Sequence, residues 1–291
     1  MTFKLPTKLS KQDVPYTRSA SLSGRFILSA KQLVAYYGKN LRGAHLPFNF
    51  QLILCAWNAE IIAQIIRDYE AVLPAGAWPN WVLGNHDQAR IASRIGPEQA
   101  RVAAMLLLTL RGTATIYYGE EIGMVNVPVP APEVQDPAEK NEPGLGLGRD
   151  PERSPMAWDS SPQGGFTRAR PWLPLGKDHD KINALGLSRQ PDSILNLYRR
   201  LIRLRRENEA LISGLVESLT AGGPLLRYRR TDDSKCFVIL LNLGHEPQET
   251  AFGEGQIVIS TFLDREKERI NGNVSLRPDE GLVITQTLTL K

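Results

Sequence analysis

The feature that most restricts the fold is the alternation of runs between residues 48 and 118. Phe48 to Leu54 (FNFQLIL) is an apolar run of strand length, Trp81 to Leu83 is a shorter one, and Thr113 to Tyr118 (TATIYY) is a third. Between them lie two helical patterns, one that Asn58 can cap and one opened by Gly96-Pro97. Strand, helix, strand, helix, strand with short connections implies right-handed crossovers and a parallel sheet. The first helix is expected to set Ile61, Ile62, Ile65, Ile66, Tyr69, Val72 and Leu73 on one face and to stop at Pro74 and Gly76. The second carries Val102 to Leu108, apolar nearly all round. That predicts burial on every side, with Gly112 closing the helix.

The middle run sits in WPNWVLGNHDQAR, residues 78–90, and delivers Asn85, His86 and Asp87 at its C-terminal end. In a parallel α/β barrel the loops at that end form the mouth of the site. By itself a polar triplet after a strand is more often a turn, so its neighbours decide the reading.

Residues 1–23 have neither period 2 nor period 3.6 and are rich in Lys, Ser and Thr, a composition that predicts disorder. Residues 1–31 carry a net +5 against +4 for the whole chain, which leaves −1 for the rest. A neutral body offers no basic face for nucleic acid. Leu33 to Gly38 (LVAYYG) resumes an apolar pattern. Residues 124–192 are rich in Pro and Gly with little periodicity, the mark of a functional excursion in a compact fold. Ser193 to Glu209 reads as an amphipathic helix with Leu197, Leu201 and Leu204 inward. From Leu225 onward come short strands (LLRYR, CFVILLN, IVIST, LVITQTL) with turns such as Thr231-Asp232-Asp233, which predicts a small antiparallel β domain. Cys55 and Cys236 form no metal-ligand pattern and are expected to be small core residues in a reducing compartment. Nowhere do about 18 apolar residues follow one another, so no membrane partner is expected and a cytoplasmic location is.

Six stretches resemble the α-glucosidase and oligo-1,6-glucosidase branch of the α-amylase family of glycoside hydrolases. They are GAHLPFNFQL (43–52), NWVLGNHDQAR (80–90), GTATIYYGEEIGM (112–124), GRDPERSPMAWD (148–159), GGFTRARPWLP (164–174) and SILNLYRRLIRLRR (193–206). The resemblance covers roughly residues 24–291. It implies an α/β fold: a partial (β/α)8 TIM barrel, about strands 5/6 to 8, followed by the family's small antiparallel β domain. The expected division is 1–28 disordered and out of frame, 29–212 the C-terminal half of the barrel, and 213–291 a β-sandwich domain. By the same resemblance Asp87 corresponds to the catalytic carboxylate that holds the sugar's 2- and 3-hydroxyls and stabilises the transition state. His86 would bind the same sugar, and Arg153 would lie beside the acidic centre. The chemistry is coherent, because an oxocarbenium-like transition state needs anionic groups and hydroxyl contacts that strengthen as charge develops.

A retaining glycosidase needs two further carboxyl groups, a nucleophile and a general acid. The family's nucleophile lies in a Gly-x-Arg-x-Asp type motif, and none precedes residue 48 here. The family's acid appears as Gly-Glu-Ile-Tyr-Leu just before the LVAYYG segment, where this chain reads Gly24-Arg25-Phe26-Ile27-Leu28. A guanidinium does not donate a proton near neutral pH. If each codon is entered at its third base, the codon pairs from Ser19–Ala20 to Ile27–Leu28 are compatible with Arg-Val-Leu-Ile-Gly-Glu-Ile-Tyr-Leu. The expectation is therefore that residues up to about Leu28 are a frameshifted product of an α-glucosidase gene.

Other candidates carry less. Adjacent Glu120 and Glu121 point in different directions and are expected to serve structural hydrogen bonding. Arg153 taken alone would be a surface charge, but its place in RSPMAW favours a site-facing role. His45, His179 and His245 are expected to be incidental, and Trp158 and Trp172 fit either a sugar cleft or loop packing. Asp136, Asp150 and Glu152 lie too far apart in sequence to argue for a metal. The reading is a truncated α-glucosidase-like hydrolase without cofactor or metal, inactive or nearly so alone, that takes oligosaccharide α-glucosides. Its rivals are a non-catalytic sugar-binding or scaffolding protein and a half barrel completed by an N-terminal partner. An open barrel edge also predicts self-association.

Overall fold

The computed structural model describes residues 28–286. The disorder and out-of-frame origin expected for residues 1–28 therefore concern, Leu28 apart, residues outside that range. The chain opens with α1 (Ala30–Val34), α2 (Gln51–Leu54), α3 (Ala59–Val72), β1 (Asn80–Val82), α4 (Ile91–Ile95), α5 (Pro97–Thr109) and β2 (Thr113–Thr115). β1 and β2 pair in parallel, Trp81 opposite Ala114, and Asn49 bridges Trp81 in parallel on the other side. Three parallel segments thus succeed one another across α3 and α4–α5, as the alternation predicts.

The first of them corrects the sequence reading. Only Asn49 of the FNFQLIL run pairs as a strand, and the chain then turns into α2. The cause is local: Asn49 Oδ1 accepts the Gln51 N–H at 3.0 Å, a side-chain competitor that closes a turn where a ladder bond would otherwise form. The TATIYY run is also shorter than expected. Past Thr115 the Tyr117 N–H goes to Glu120 Oε2 and the Tyr117 carbonyl to the Glu120 N–H, so both leave the ladder.

α3 begins where Asn58 caps it, its side chain accepting from the N–H groups of Glu60 and Ile61. Ile62, Ala63, Ile66 and Tyr69 are buried, whereas Ile61 is 43% exposed and does not belong to the inner face. The seven residues expected on that face span too wide an arc for one contact stripe. α5 is buried on all sides from Val102 to Leu108, as expected. It ends at Leu110 in extended conformation, and Gly112 instead makes the entry to β2. At φ +114°, with the Pro79 carbonyl 2.5 Å from where a Cβ would stand, that position accepts only glycine.

After β2 the chain runs through an irregular region holding α6 (Pro137–Asn141) and α7 (Ala184–Ser188) before α8 (Ile194–Arg206) and α9 (Glu209–Ile212). Arg205 of α8 donates to the carbonyls of Leu108 and Leu110 at 2.8 Å and to that of Gly112. The first two are acceptors that the C-terminus of α5 leaves without helical partners, and the third lies at the entry to β2.

Strands β3 (Leu215–Gly222), β4 (Leu225–Thr231), β5 (Cys236–Asn242), β6 (Gln248–Ser260), β7 (Arg269–Leu276) and β8 (Gly281–Gln286) form an antiparallel sheet in the order β3-β4-β5-β8-β6-β7. Two packed sheets are expected over residues 213–291; the strands instead join one. Register shifts in β6, at Ala251/Gly253 and Ile257/Ile259, let that sheet curl on itself. Alternate residues of β5 serve two cores. Phe237, Ile239 and Leu241 join a cluster with α3, α5 and α8, while Val238 and Leu240 pack with Phe252, Ile270 and Val274. The first cluster crosses from helices to sheet, so the two parts share one core. Where they meet, Arg230 donates to the Thr109 carbonyl at 2.5 Å; burial and the neighbouring Arg205 lower its pKa to about 9. Cys236 is buried and Cys55 half-buried, both unpaired. Among the described residues no helix is long and apolar enough to cross a membrane.

Candidate active site

β1 ends at Val82, and the next residues build the mouth. Leu83 is buried, and its carbonyl accepts from Arg94, which also reaches the carbonyls of Ile53 and Ala89. Gly84 lies over Glu120: a Cβ there would stand 2.3 Å from Glu120 Oε1. Glu120 is buried, and that burial pushes its pKa up to about 8 against the pull of the Tyr117 N–H, Arg94 and Arg90. Glu121 Oε2 accepts the Gly119 N–H at 2.7 Å. Each carboxylate thus takes a backbone N–H, consistent with a structural role for the pair. Arg90 is buried against the edge-on pair of Tyr117 and Tyr118, its Cζ 5.0 and 4.6 Å from their centroids, and donates to the Tyr118 carbonyl.

On this base Asn85 Oδ1 accepts the Asp87 N–H at 2.9 Å and fixes the turn. Asp87 Oδ1 accepts from Arg153 Nη2 and from Arg149 Nη1, each at 3.1 Å, and lies 3.6 Å from His86 Nε2. Arg153 Nε donates to the His86 carbonyl at 2.8 Å. The Asp87 side chain is 30% exposed and that of His86 66%. The structure therefore brings together the three residues singled out in the sequence, Asp87, His86 and Arg153.

It also adds residues that sequence reasoning missed. Arg149, inside the GRDPER motif, spans Asp87 and Asp136. Its Nε lies 2.7 Å from Asp136 Oδ2, and this pairing holds the Asp136 carboxyl well below the usual carboxylate range. The same partner raises the pKa of Arg149. Asp136, Asp150 and Glu152 are all buried beside the site. Their oxygens are taken up by protein donors, among them the Gln135 and Asp136 N–H groups on Asp150 and the Asn126 amide on Glu152. Among the described residues no group of three His, Cys, Asp or Glu could hold a metal.

A cavity of about 270 Å³ opens beside Asp87, lined by Leu33, Phe48, Phe50, Leu54, Asn85 and Gln88 among others. Phe48 and Phe50 stack with centroids 5.7 Å apart, and both remain substantially exposed. Trp158 and Trp172 are exposed as well. His179 is bonded to the Gly176 carbonyl and His245 to Asp279.

Parallel segments joined by crossover helices, with a carboxylate held at their C-terminal end by two guanidiniums, have the arrangement of a site at the mouth of a parallel α/β fold. The family model for the alpha-amylase catalytic domain matches residues 12–214, and the chain belongs to the alpha-amylase family. It is 37% identical over 224 residues to Maltase A1 of Drosophila melanogaster, covering 74% of this chain and 39% of that one. It is 34% identical over 221 residues to the human amino acid transporter heavy chain SLC3A1, covering 74% of this chain and 31% of that one. The solved structure of the alpha-glucosyl transfer enzyme XgtA superposes with a TM-score of 0.79 at 27% identity, covering 89% of this chain and 49% of that one. The chain spans less than half the length of each.

Proposed function

We propose that this chain is an α-glucosidase-like glycoside hydrolase fragment in which Asp87 holds the hydroxyls of a terminal α-glucosyl unit, with His86 and Arg153 binding the same sugar. The observation that carries the reading is the placement of Asp87 at the mouth of the parallel segments, its Oδ1 fixed by two guanidiniums at 3.1 Å. A carboxylate held this way needs little reorganisation to accept hydroxyl hydrogen bonds that strengthen as charge develops on the ring. The parental activity is retaining hydrolysis of α-glucosidic bonds in short oligosaccharides. Residues 29–212 are its half barrel and 213–291 its sheet domain. The two other carboxyl groups of that reaction are not among the motifs of these 291 residues, so binding without turnover is expected. Titrating the chain with methyl α-D-glucoside tests this: Asp87→Asn should weaken binding at least about tenfold. Equal affinity in the two proteins, or no binding by either, counts against the assignment.

A second reading, a non-catalytic sugar-binding or scaffolding protein, draws on the similarity to a transporter heavy chain. It differs in one outcome, since no added N-terminal half would then restore turnover. We further infer self-association through the parallel edge, where Phe48, Phe50 and Leu54 are exposed. Light scattering that finds a monomer at all concentrations would remove that part. The two unpaired cysteines fit a reducing, cytoplasmic setting. The frameshift origin of residues 1–28 is read directly from the gene: the third-base frame either encodes the Gly-Glu-Ile-Tyr-Leu peptide or does not.

A further inference from the structure

Asp136 has no part in the reading above, yet its side chain is fully buried within the site. Oδ2 accepts from Arg149 Nε at 2.7 Å and from the Arg149 backbone N–H at 3.0 Å. Oδ1 accepts from the Ala138 N–H at 2.9 Å and from Arg149 Nη2 at 3.3 Å. Arg153 Nη1 lies 4.0 Å from Oδ2. The loop is clasped in the reverse sense too, because Asp150 Oδ2 takes the N–H groups of Gln135 and Asp136 at 2.6 and 2.9 Å. Glu139 braces the approach to Arg149 by accepting from the N–H groups of Gly144 and Gly148.

The guanidinium is a rigid planar fork, and here its edges are divided. Nε and Nη2 face Asp136, while Nη1 reaches Asp87 at 3.1 Å. A long arginine side chain one-third exposed at the mouth would otherwise sample many rotamers. We propose that Asp136 is a positioning residue for the sugar site: it locks the Arg149 fork and thereby fixes the face that Asp87 turns to the ligand. This rests on the reading of Asp87 as a glucoside-binding group.

A residue that merely closes the loop and one that acts through Arg149 differ in a double-mutant cycle. In the full chain, Asp136→Asn and Arg149→Gln should each weaken methyl α-D-glucoside binding roughly tenfold, and the double variant should be no weaker than either alone. The Arg149 Nε–H resonance should be slow to exchange in the wild type and lost in Asp136→Asn, while that of Arg205 persists. Additive losses, or an unchanged affinity with the Arg149 signal intact, overturn the proposal. Should Asp136→Asn fail to fold, Arg149→Lys keeps the charge without the fork and must show the same loss; undiminished binding by that variant overturns it. If the wild type itself does not bind the glucoside, the sugar reading of Asp87 falls. The positioning role is then decided by the Arg149 resonance alone, and its persistence in Asp136→Asn overturns it.

Discussion

Two β segments of this molecule are finished to very different degrees. β5 is paired on both sides, by β4 and β8, and buried along its whole length, each face feeding a separate apolar cluster. The parallel segment at Asn49 has one strand neighbour among the described residues, Trp81. Phe48, Phe50 and Leu54 around it are exposed, and the buried Asn49 Nδ2 has no hydrogen-bond partner. Stability is therefore concentrated where sheet and helices share a core, and the candidate chemistry sits at the edge left incomplete. Since Asp87 lines the same cavity as Phe48 and Phe50, that edge and the candidate site are one region.

Substitutions should separate the two regions, beginning with the largest effect. Phe237→Ala in β5 removes a fully buried ring and should cost about 3–5 kcal/mol in chemical denaturation. A loss under about 1 kcal/mol would mean that the shared core is not where stability lies. Glu120, under the site, should give the protein a pH-dependent stability. Below pH 4.5 both folded and unfolded states hold its proton. Between 4.5 and about 8 only the folded state does, so stability falls as pH rises, by up to about 1.4 kcal/mol per unit, and levels off above 8. Denaturation of wild type and Glu120→Gln across pH 4–9 isolates this slope, and parallel curves would contradict it. Arg205→Ala strips the carbonyls of Leu108, Leu110 and Gly112, at and just past the end of α5, of a charged donor and should cost about 2 kcal/mol. At the open edge Phe48→Ser should change folding stability by no more than about 0.5 kcal/mol while weakening self-association, which sedimentation would show.

What could be read from the sequence follows the same divide. Cys236 to Leu241 is legible because a strand covered on both faces is apolar at every position. β3 and β7 pass unnoticed because edge strands with mostly exposed residues carry too little apolar signal. The FNFQLIL run misleads because Asn49 closes a turn on Gln51, a bond that no periodicity records. Asp87, His86 and Arg153 are visible through linear motifs. Arg149 and Asp136 are not, because their pairing joins residues 13 apart across an irregular loop. The burial of Arg90 against two tyrosines is likewise tertiary and leaves no local trace.

The central proposal is that Asp87 holds an α-glucoside, and that cleavage needs an N-terminal half barrel supplied with this chain. The most direct measurement is hydrolysis of p-nitrophenyl α-D-glucoside by the 291-residue chain, alone and mixed with an N-terminal half barrel taken from a maltase relative. The account predicts no release of p-nitrophenol by the chain alone, and release in the mixture that Asp87→Asn abolishes. Turnover by the isolated chain, lost on Asp87→Asn, would contradict it.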